Sequence, residues 1–286
     1  MNAGRIWPEW RARGRRLIVG QPQIMGILNV TPDSFSDGGW HLDPHRAAEQ
    51  SLRLVAEGAG LIDLGGESTR PGAEPVDLKT EQARILPVLE ALQHALDCPI
   101  SIDTTKPEVA RLALEKGAAV VNDIQALADP AMARIAAEAD AGVVLMHMAG
   151  TPRTMQVDPH YTNVLEDVYT FLARAIDRAL AAGIPLDHIA IDPGIGFGKT
   201  TAHNQTLLRN LGRFAALGCA ILVGTSRKRT LGEWTGRPVN ERAVASAVSA
   251  VAAIESGAAI VRVHDVGYTR DAIRVWEAQR GWSRLP

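Results

Sequence analysis

Eight short apolar runs rich in β-branched residues, separated by stretches of helical periodicity, restrict the folds open to this chain more than any other feature. They are Ile24–Leu28, Leu61–Leu64, Ile100–Ile102, Ala119–Val121, Val143–Met146, Ile189–Ile191, Ala220–Val223 and Ala259–Val263. Helices are expected over Pro44–Glu57, Thr80–Leu96, Pro107–Lys116, Pro130–Ala139, Val164–Ala182, Asn204–Leu217, Asn240–Ser256 and Thr269–Gln279. Strand and helix in alternation are the mark of a parallel sheet, because a crossover must link each parallel pair. Eight alternations without a dinucleotide fingerprint favour closure over an open doubly wound sheet. The α/β fold predicted is a (β/α)8 TIM barrel, a single domain over residues 21–286 behind a short N-terminal extension, 1–20. A chain of 286 residues is of the right length for one such barrel.

The runs end in polar groups. At or just past their C-terminal ends stand Asn29, Asp63, Asp103, Asn122, His147, Asp192, the cluster Ser226-Arg227-Lys228, and Arg262 with His264. That end of a barrel's strands builds the active site. Any one of these groups is equally at home as a helix cap or a loop hydrogen bond. Eight polar ends together point to a site. Sorted by charge, Arg262, His264 and Lys228, with Arg70 from the loop after the second run, suit an anion such as phosphate. Asp103, Asn122 and Asp192 offer acceptors to a ring rich in N–H donors. The carboxylates are also compatible with general acid/base work or a metal ion. A glycosidase pair would leave the basic cluster without a task.

The stretch IDPGIGFGKT, Ile191–Thr200, ends like a nucleotide-binding phosphate loop. Counting back from Gly198 and Lys199, however, the position that needs the first glycine holds Pro193, which lacks an N–H and has a fixed φ. No ATP chemistry is expected from Lys199. A net charge of −2 gives no footprint for nucleic acid, and Cys98 and Cys219 are too few for a disulfide framework or a cysteine-based metal site. No apolar run reaches the ~18 residues of a membrane span. The early arginines, Arg5 to Arg16, precede no apolar signal core, so a cytoplasmic location is expected.

Taken in order, IMGILNVTPDSFSDGG (Ile24–Gly39), DLGGESTRPGA (Asp63–Ala73), SIDTTKPEV (Ser101–Val109), NDI (Asn122–Ile124), LMHM (Leu145–Met148), DPGIGFGK (Asp192–Lys199), GTSRK (Gly224–Lys228) and RVHDV (Arg262–Val266) closely resemble the dihydropteroate synthase family. The resemblance runs from about Ile24 to the last helix. It implies a cytoplasmic transferase of folate synthesis that joins 6-hydroxymethyl-7,8-dihydropterin diphosphate to p-aminobenzoate and releases diphosphate. Pterin binding is then expected of Asp103, Asn122, Met146, Asp192 and Lys228. Diphosphate binding falls to Asn29, Arg70, Arg262 and His264, with Mg²⁺ on Asn29. For p-aminobenzoate the residues implied are Phe35, Thr69, Arg70, Pro71, Phe197 and Ser226, and for catalysis Asp103, Lys228, Arg262 and His264.

The family's chemistry is dissociative and needs no side-chain nucleophile. Its loops equivalent to 31–39 and 67–73 close over the site, and it is a homodimer through its later helices. Four positions depart from its usual residues: Thr105, Gln125, Ile195 and Arg229. They bear on affinity for p-aminobenzoate and sulfonamides rather than on a catalytic group. Two rivals share much of the pattern, a pterin-binding methyltransferase and a non-catalytic paralogue. The methyltransferase would not need Arg262 and His264 as an anion site.

Overall fold

The computed structural model describes residues 7–18, 20–31, 44–70, 72–92 and 95–281. Eight strands close a parallel barrel: β3 (Gln23–Asn29), β4 (Leu61–Gly65), β5 (Ile100–Asp103), β6 (Val120–Asp123), β7 (Gly142–Met146), β8 (Ile189–Asp192), β9 (Ala220–Val223) and β10 (Ile260–Val263). β10 pairs with both β3 and β9, so no edge is left open. The eight expected runs are the eight strands, within a residue or so at each end. Helices α1 (Pro44–Glu57), α2 (Leu78–Leu92), α3 (Pro107–Glu115), α4 (Pro130–Glu138), α5 (Val164–Ala181), α6 (Thr201–Arg209), α7 (Arg229–Thr235), α8 (Ala243–Ser256) and α9 (Val266–Gln279) follow the strands.

Local chemistry sets many of these boundaries. Asp129 accepts from the N–H of Ala131 and Pro130 sits at the first turn, so α4 starts where its free N–H groups are best met. Asn163 caps α5 in the same way, and Thr200 with His203 forms a reciprocal cap on α6. The expected single helix over Asn204–Leu217 is instead α6 followed by a 3-10 turn, Leu211–Leu217. Asn210 leaves helical geometry at φ −114° and turns its amide back onto the carbonyl of Thr206, which interrupts the ladder. Helix α7 has no counterpart among the expected helices.

Strand parity divides the interior. Ile62, Leu64, Ile102, Val121, Val143, Ile189 and Val261 face the helices and join the main core. Met25, Leu61, Val120, Val144, Ala190, Leu222 and Ile260 face the barrel axis and form a second apolar cluster. Part of the expected N-terminal extension seals that cluster from below. A two-strand hairpin, β1 (Arg11–Ala12) with β2 (Arg15–Arg16), brings fully buried Trp10 and Ala12, with Leu17 and Ile18, against it. The indole of Trp10 donates to the carbonyl of His188, and the guanidinium of Arg13 to the carbonyls of Leu114 and Ala118. The floor of the barrel is therefore apolar and closed; Ser101 is buried inside the barrel in register with Val120, and the charged inward-facing groups stand toward the other end.

Candidate active site

Inward parity, counted two residues up from the apolar layer, brings polar side chains to the open end of the barrel. Asn29 pairs in register with Gly65, Gly65 with Asp103, Asp103 with Asn122, and Met146 with Asp192. Gly65 keeps this layer open: an added Cβ would lie 3.7 Å from Asn29 Oδ1 and 3.8 Å from Asp103 Oδ2. Asp103, Asn122 and Asp192 are all buried, as is Met146 beside Asp192. These pterin-side residues expected from the sequence come together.

Arg262 is the hub. Its Nε donates to Asp63 Oδ2 at 2.6 Å and its Nη2 to Asp103 Oδ2 at 2.8 Å, while Asn122 Nδ2 donates to the same Asp63 oxygen at 3.1 Å. Asp63 Oδ1, fully buried, has no partner among the described residues. Loss of solvent pushes the Asp103 carboxyl up to about 7 against the pull of Arg262, with Asp63 adding to the rise. Asp192 accepts the N–H of Gly194 at 2.7 Å; burial raises its carboxyl while Lys228 pulls the other way. Burial likewise pushes the Lys228 ammonium down to about 8, opposed by Asp192. Lys228 donates to the carbonyl of Ile195 and lies 4.5 Å from the centre of the Phe197 ring.

On the far side of Arg262, Ser226 and His264 orient each other. The backbone N–H of His264 donates to Ser226 Oγ at 3.1 Å, and that oxygen is 3.0 Å from His264 Nδ1. In the tautomer with the imidazole proton on Nε2, the hydroxyl donates to Nδ1 and the Nε2–H is left for a ligand. Burial, Arg262 and Arg227 hold His264 neutral, down to about 3, and Arg70 adds a smaller depression. Arg70 is thus within electrostatic range of His264, as an anion site spanning both would need. Arg227 itself is spent on Asp265, in a two-pronged pair at 2.9 and 2.5 Å.

A cavity of about 510 Å³ opens over Asp103, lined by Glu67, Thr69, Thr104, Ile124 and Met148 among others. Beneath its rim Lys106 bridges Glu67 and the fully buried Glu81, to which Thr104 also donates at 2.7 Å. This ties the start of the β4–α2 loop, where Thr69 and Arg70 stand, to the strand that carries Asp103. Phe35 and Pro71, expected on the p-aminobenzoate side, lie outside the described residues. Asn29 Oδ1 faces the layer across Gly65 and makes no protein hydrogen bond among the described residues. Among the described residues no group of three or more His, Cys, Asp or Glu side chains is placed to hold a metal.

Two residues gain importance that the sequence did not give them. Asp63 stood among the polar strand ends without a task and turns out to hold Arg262. Lys199, set aside as a phosphate ligand, is buried at 1% exposure with its Nζ 2.9 Å from His147 Nδ1, Gly194 O and Phe197 O. The signal for Asp63 was its inward parity with Gly65. For Lys199 there was none, since nothing local tells a buried lysine from an exposed one.

A family model described as pterin binding enzyme matches residues 25–264. The dihydropteroate synthase of Haemophilus influenzae is 45% identical over 267 residues, covering 93% of this chain and 97% of that protein. Among solved structures, Yersinia pestis dihydropteroate synthase with a sulfonamide drug complex superposes with a TM-score of 0.90 at 44% identity, covering 96% of this chain and 99% of that one. The Xanthomonas albilineans enzyme with 4-aminobenzoic acid gives 0.90 at 45%, covering 98% and 100%. In complex with 7,8-dihydropteroate the Xanthomonas enzyme gives 0.86 at 43%, again covering 98% and 100%.

Proposed function

The chain belongs to the pterin-binding enzymes and, within them, to the dihydropteroate synthases, and we propose that its barrel mouth divides one substrate between two sets of groups. The reaction is the transfer of a pterin methylene from diphosphate to the amine of p-aminobenzoate. The observation that carries the assignment of residues is the side-by-side placement of an acceptor set, Asp103, Asn122 and Asp192, and a donor set, Arg262 and His264.

The pterin edge presents N–H donors, which Asp192 and the free oxygens of Asp103 and Asn122 accept, while Lys228 donates to a ring acceptor and Met146 packs against the ring. The diphosphate lies toward Arg262, the Nε2 proton of His264, and Arg70. Asn29 would offer one amide oxygen to Mg²⁺, an ion that suits oxygen ligands and substrate phosphates. When bound, the ion would neutralise charge on the leaving diphosphate. As the C–O bond breaks, the electron pair leaves with diphosphate, and positive charge spreads into the pterin beside the Asp103 carboxylate. The arylamine, held near Thr69, Arg70, Phe197 and Ser226 with Phe35 and Pro71, then forms the C–N bond and releases one proton to solvent. No nucleophilic side chain is needed.

Asp63 holds Nε of Arg262 and Asp103 holds Nη2, so the guanidinium is fixed in place with Nη1 left to offer the phosphate.

Two further assignments rest on surface chemistry. Helix α8 is apolar on both faces: Ala247, Ala250 and Ile254 pack inward, while Val244 and Val248 are 65% and 62% exposed. With Trp234, 48% exposed, they line a groove of about 940 Å³ between α6, α7 and α8. A second copy of this chain covers that groove in a homodimer. Among the described residues no helix is long and apolar enough to cross a membrane, in keeping with action in the cytoplasm.

The test is direct. Purified protein given both substrates and Mg²⁺ is expected to form dihydropteroate and diphosphate in equal amounts, and omission of either substrate stops the reaction. Product failing to form with both present would overturn the reading.

A further inference from the structure

The Gly-Lys-Thr that ends the β8–α6 loop has no part in the chemistry proposed above, yet its lysine is among the most completely engaged side chains in the protein. Three polar atoms surround Lys199 Nζ at 2.9 Å, His147 Nδ1, Gly194 O and Phe197 O; burial pushes the lysine well below its ordinary range, opposed by Asp192. Burial, with Lys199 beside it, pushes the His147 ring down to about 3 and keeps it neutral, and in the tautomer with its proton on Nε2 the Nδ1 atom accepts from the lysine.

The loop that Lys199 grips is held along its whole length. Besides Gly194 O and Phe197 O, Ile195 O accepts from Lys228, Gly196 O from Gln156 Nε2 at 2.7 Å, and Gly198 O from the Tyr161 hydroxyl at 2.7 Å. Five consecutive carbonyls thus have side-chain donors. The backbone needs them. Gly194 and Gly198 sit at φ +68° and +63°, and a Cβ at these positions would meet His147 O at 1.8 Å and Ala149 O at 2.6 Å. Glycine allows this backbone-on-backbone contact with the end of β7, but glycine also gives up more freedom on ordering than any other residue. Side-chain donors hold a segment that composition alone would leave loose.

We propose that Lys199 is a positioning residue: it staples the Gly194–Gly198 loop onto the end of β7 so that the Phe197 ring and the Ile195 carbonyl stand fixed beside Lys228, on the p-aminobenzoate side of the site. The inference rests on the proposed reaction. The lysine touches neither substrate nor reacting atoms, and acts through Phe197, whose ring Lys228 faces at 4.5 Å.

Steady-state kinetics with each substrate varied in turn tests this. Lys199→Met keeps the unbranched chain out to Cε and removes the amine that makes all three bonds. The KM for p-aminobenzoate is expected to rise at least tenfold, with kcat and the KM for the pterin diphosphate within about threefold of the unmodified enzyme. The double variant Gln156→Ala with Tyr161→Phe loosens the same loop from its outer side without changing charge. It is expected to give the same split with a smaller rise, and it carries the test if Lys199→Met does not fold. A rise shared equally by both substrates would assign Lys199 to balancing the charge of Asp192 and overturn the proposal. Unchanged KM values in folded variants would overturn it as well. No turnover by the unmodified enzyme would instead count against the reaction itself.

Discussion

Arg262 and Asp63 are 199 residues apart in the chain and 2.6 Å apart in the barrel. The basic and acidic strand ends could be read from the sequence; which acid holds which base could not, because the closure of β10 against β3 decides it. Two predictions follow from this pair and its neighbours. Asp63→Asn keeps the shape but weakens a charge-assisted bond, which should cost about 1.5–3 kcal/mol of transition-state stabilisation, roughly a ten- to hundredfold fall in kcat/KM. A variant with unchanged kcat/KM would show that Arg262 needs no fixed post. The second concerns pH. Asp103, raised to about 7, works as a carboxylate, and Lys228, lowered to about 8, works as an ammonium. The profile of kcat/KM should therefore rise with pH through about 7, fall above about 8, and lose its acid limb in Asp103→Asn. Linkage runs opposite to activity on the acid side. The proton on Asp103 is held more tightly folded than unfolded, so its stabilising contribution is present below the ordinary carboxylate range and lost as pH rises through about 7. An acid limb that survives in Asp103→Asn belongs to another group.

Elements were legible where periodicity and punctuation agree, as in α1 and the capped α4 and α5. They were not where a short helix carries its own breakers. Helix α7, Arg229–Thr235, contains Gly232 and is closed by Gly236 in the left-handed region, so its sequence resembles a loop. It is held by tertiary contacts, Arg242 donating to the carbonyls of Arg227 and Lys228 on its N-terminal side. The N-terminal hairpin hid its role for a similar reason. Its arginines advertise a solvated segment, while Trp10 and Ala12 between them fill the floor of the barrel. Trp10→Ala should cost about 3–5 kcal/mol of stability through the cavity left behind, read as a lower denaturant midpoint. Both KM values should stay unchanged where the protein is folded. At the opposite flank, Val244→Glu with Val248→Lys puts charge into the groove beside Trp234. Analytical ultracentrifugation should then find a monomer in place of the proposed dimer; a dimer that persists would place the interface elsewhere.

For the molecule as a whole, the barrel sorts chemistry by height. An apolar cluster fills the floor, and a polar layer at the strand ends, to which we assign the pterin and the diphosphate, lies beneath the loops we assign to the arylamine. The order of the eight runs and their polar ends made this arrangement legible in advance. What the sequence left open was which polar ends are spent on one another, as Arg227 is on Asp265 and Lys199 on His147. The central claim is that the donor set and the Asp103 carboxylate flank one C–O bond and part it before the amine attacks. Positional isotope exchange measures this most directly. Substrate labelled with heavy oxygen in the bridge between methylene and diphosphate is incubated with enzyme and Mg²⁺, with an unreactive p-aminobenzoate analogue completing the site. Label should move into non-bridging phosphate positions, and the exchange should fall sharply in Asp103→Asn and Arg262→Ala. Label that stays in the bridge while the same enzyme turns over normally with p-aminobenzoate would contradict the account and favour a concerted displacement.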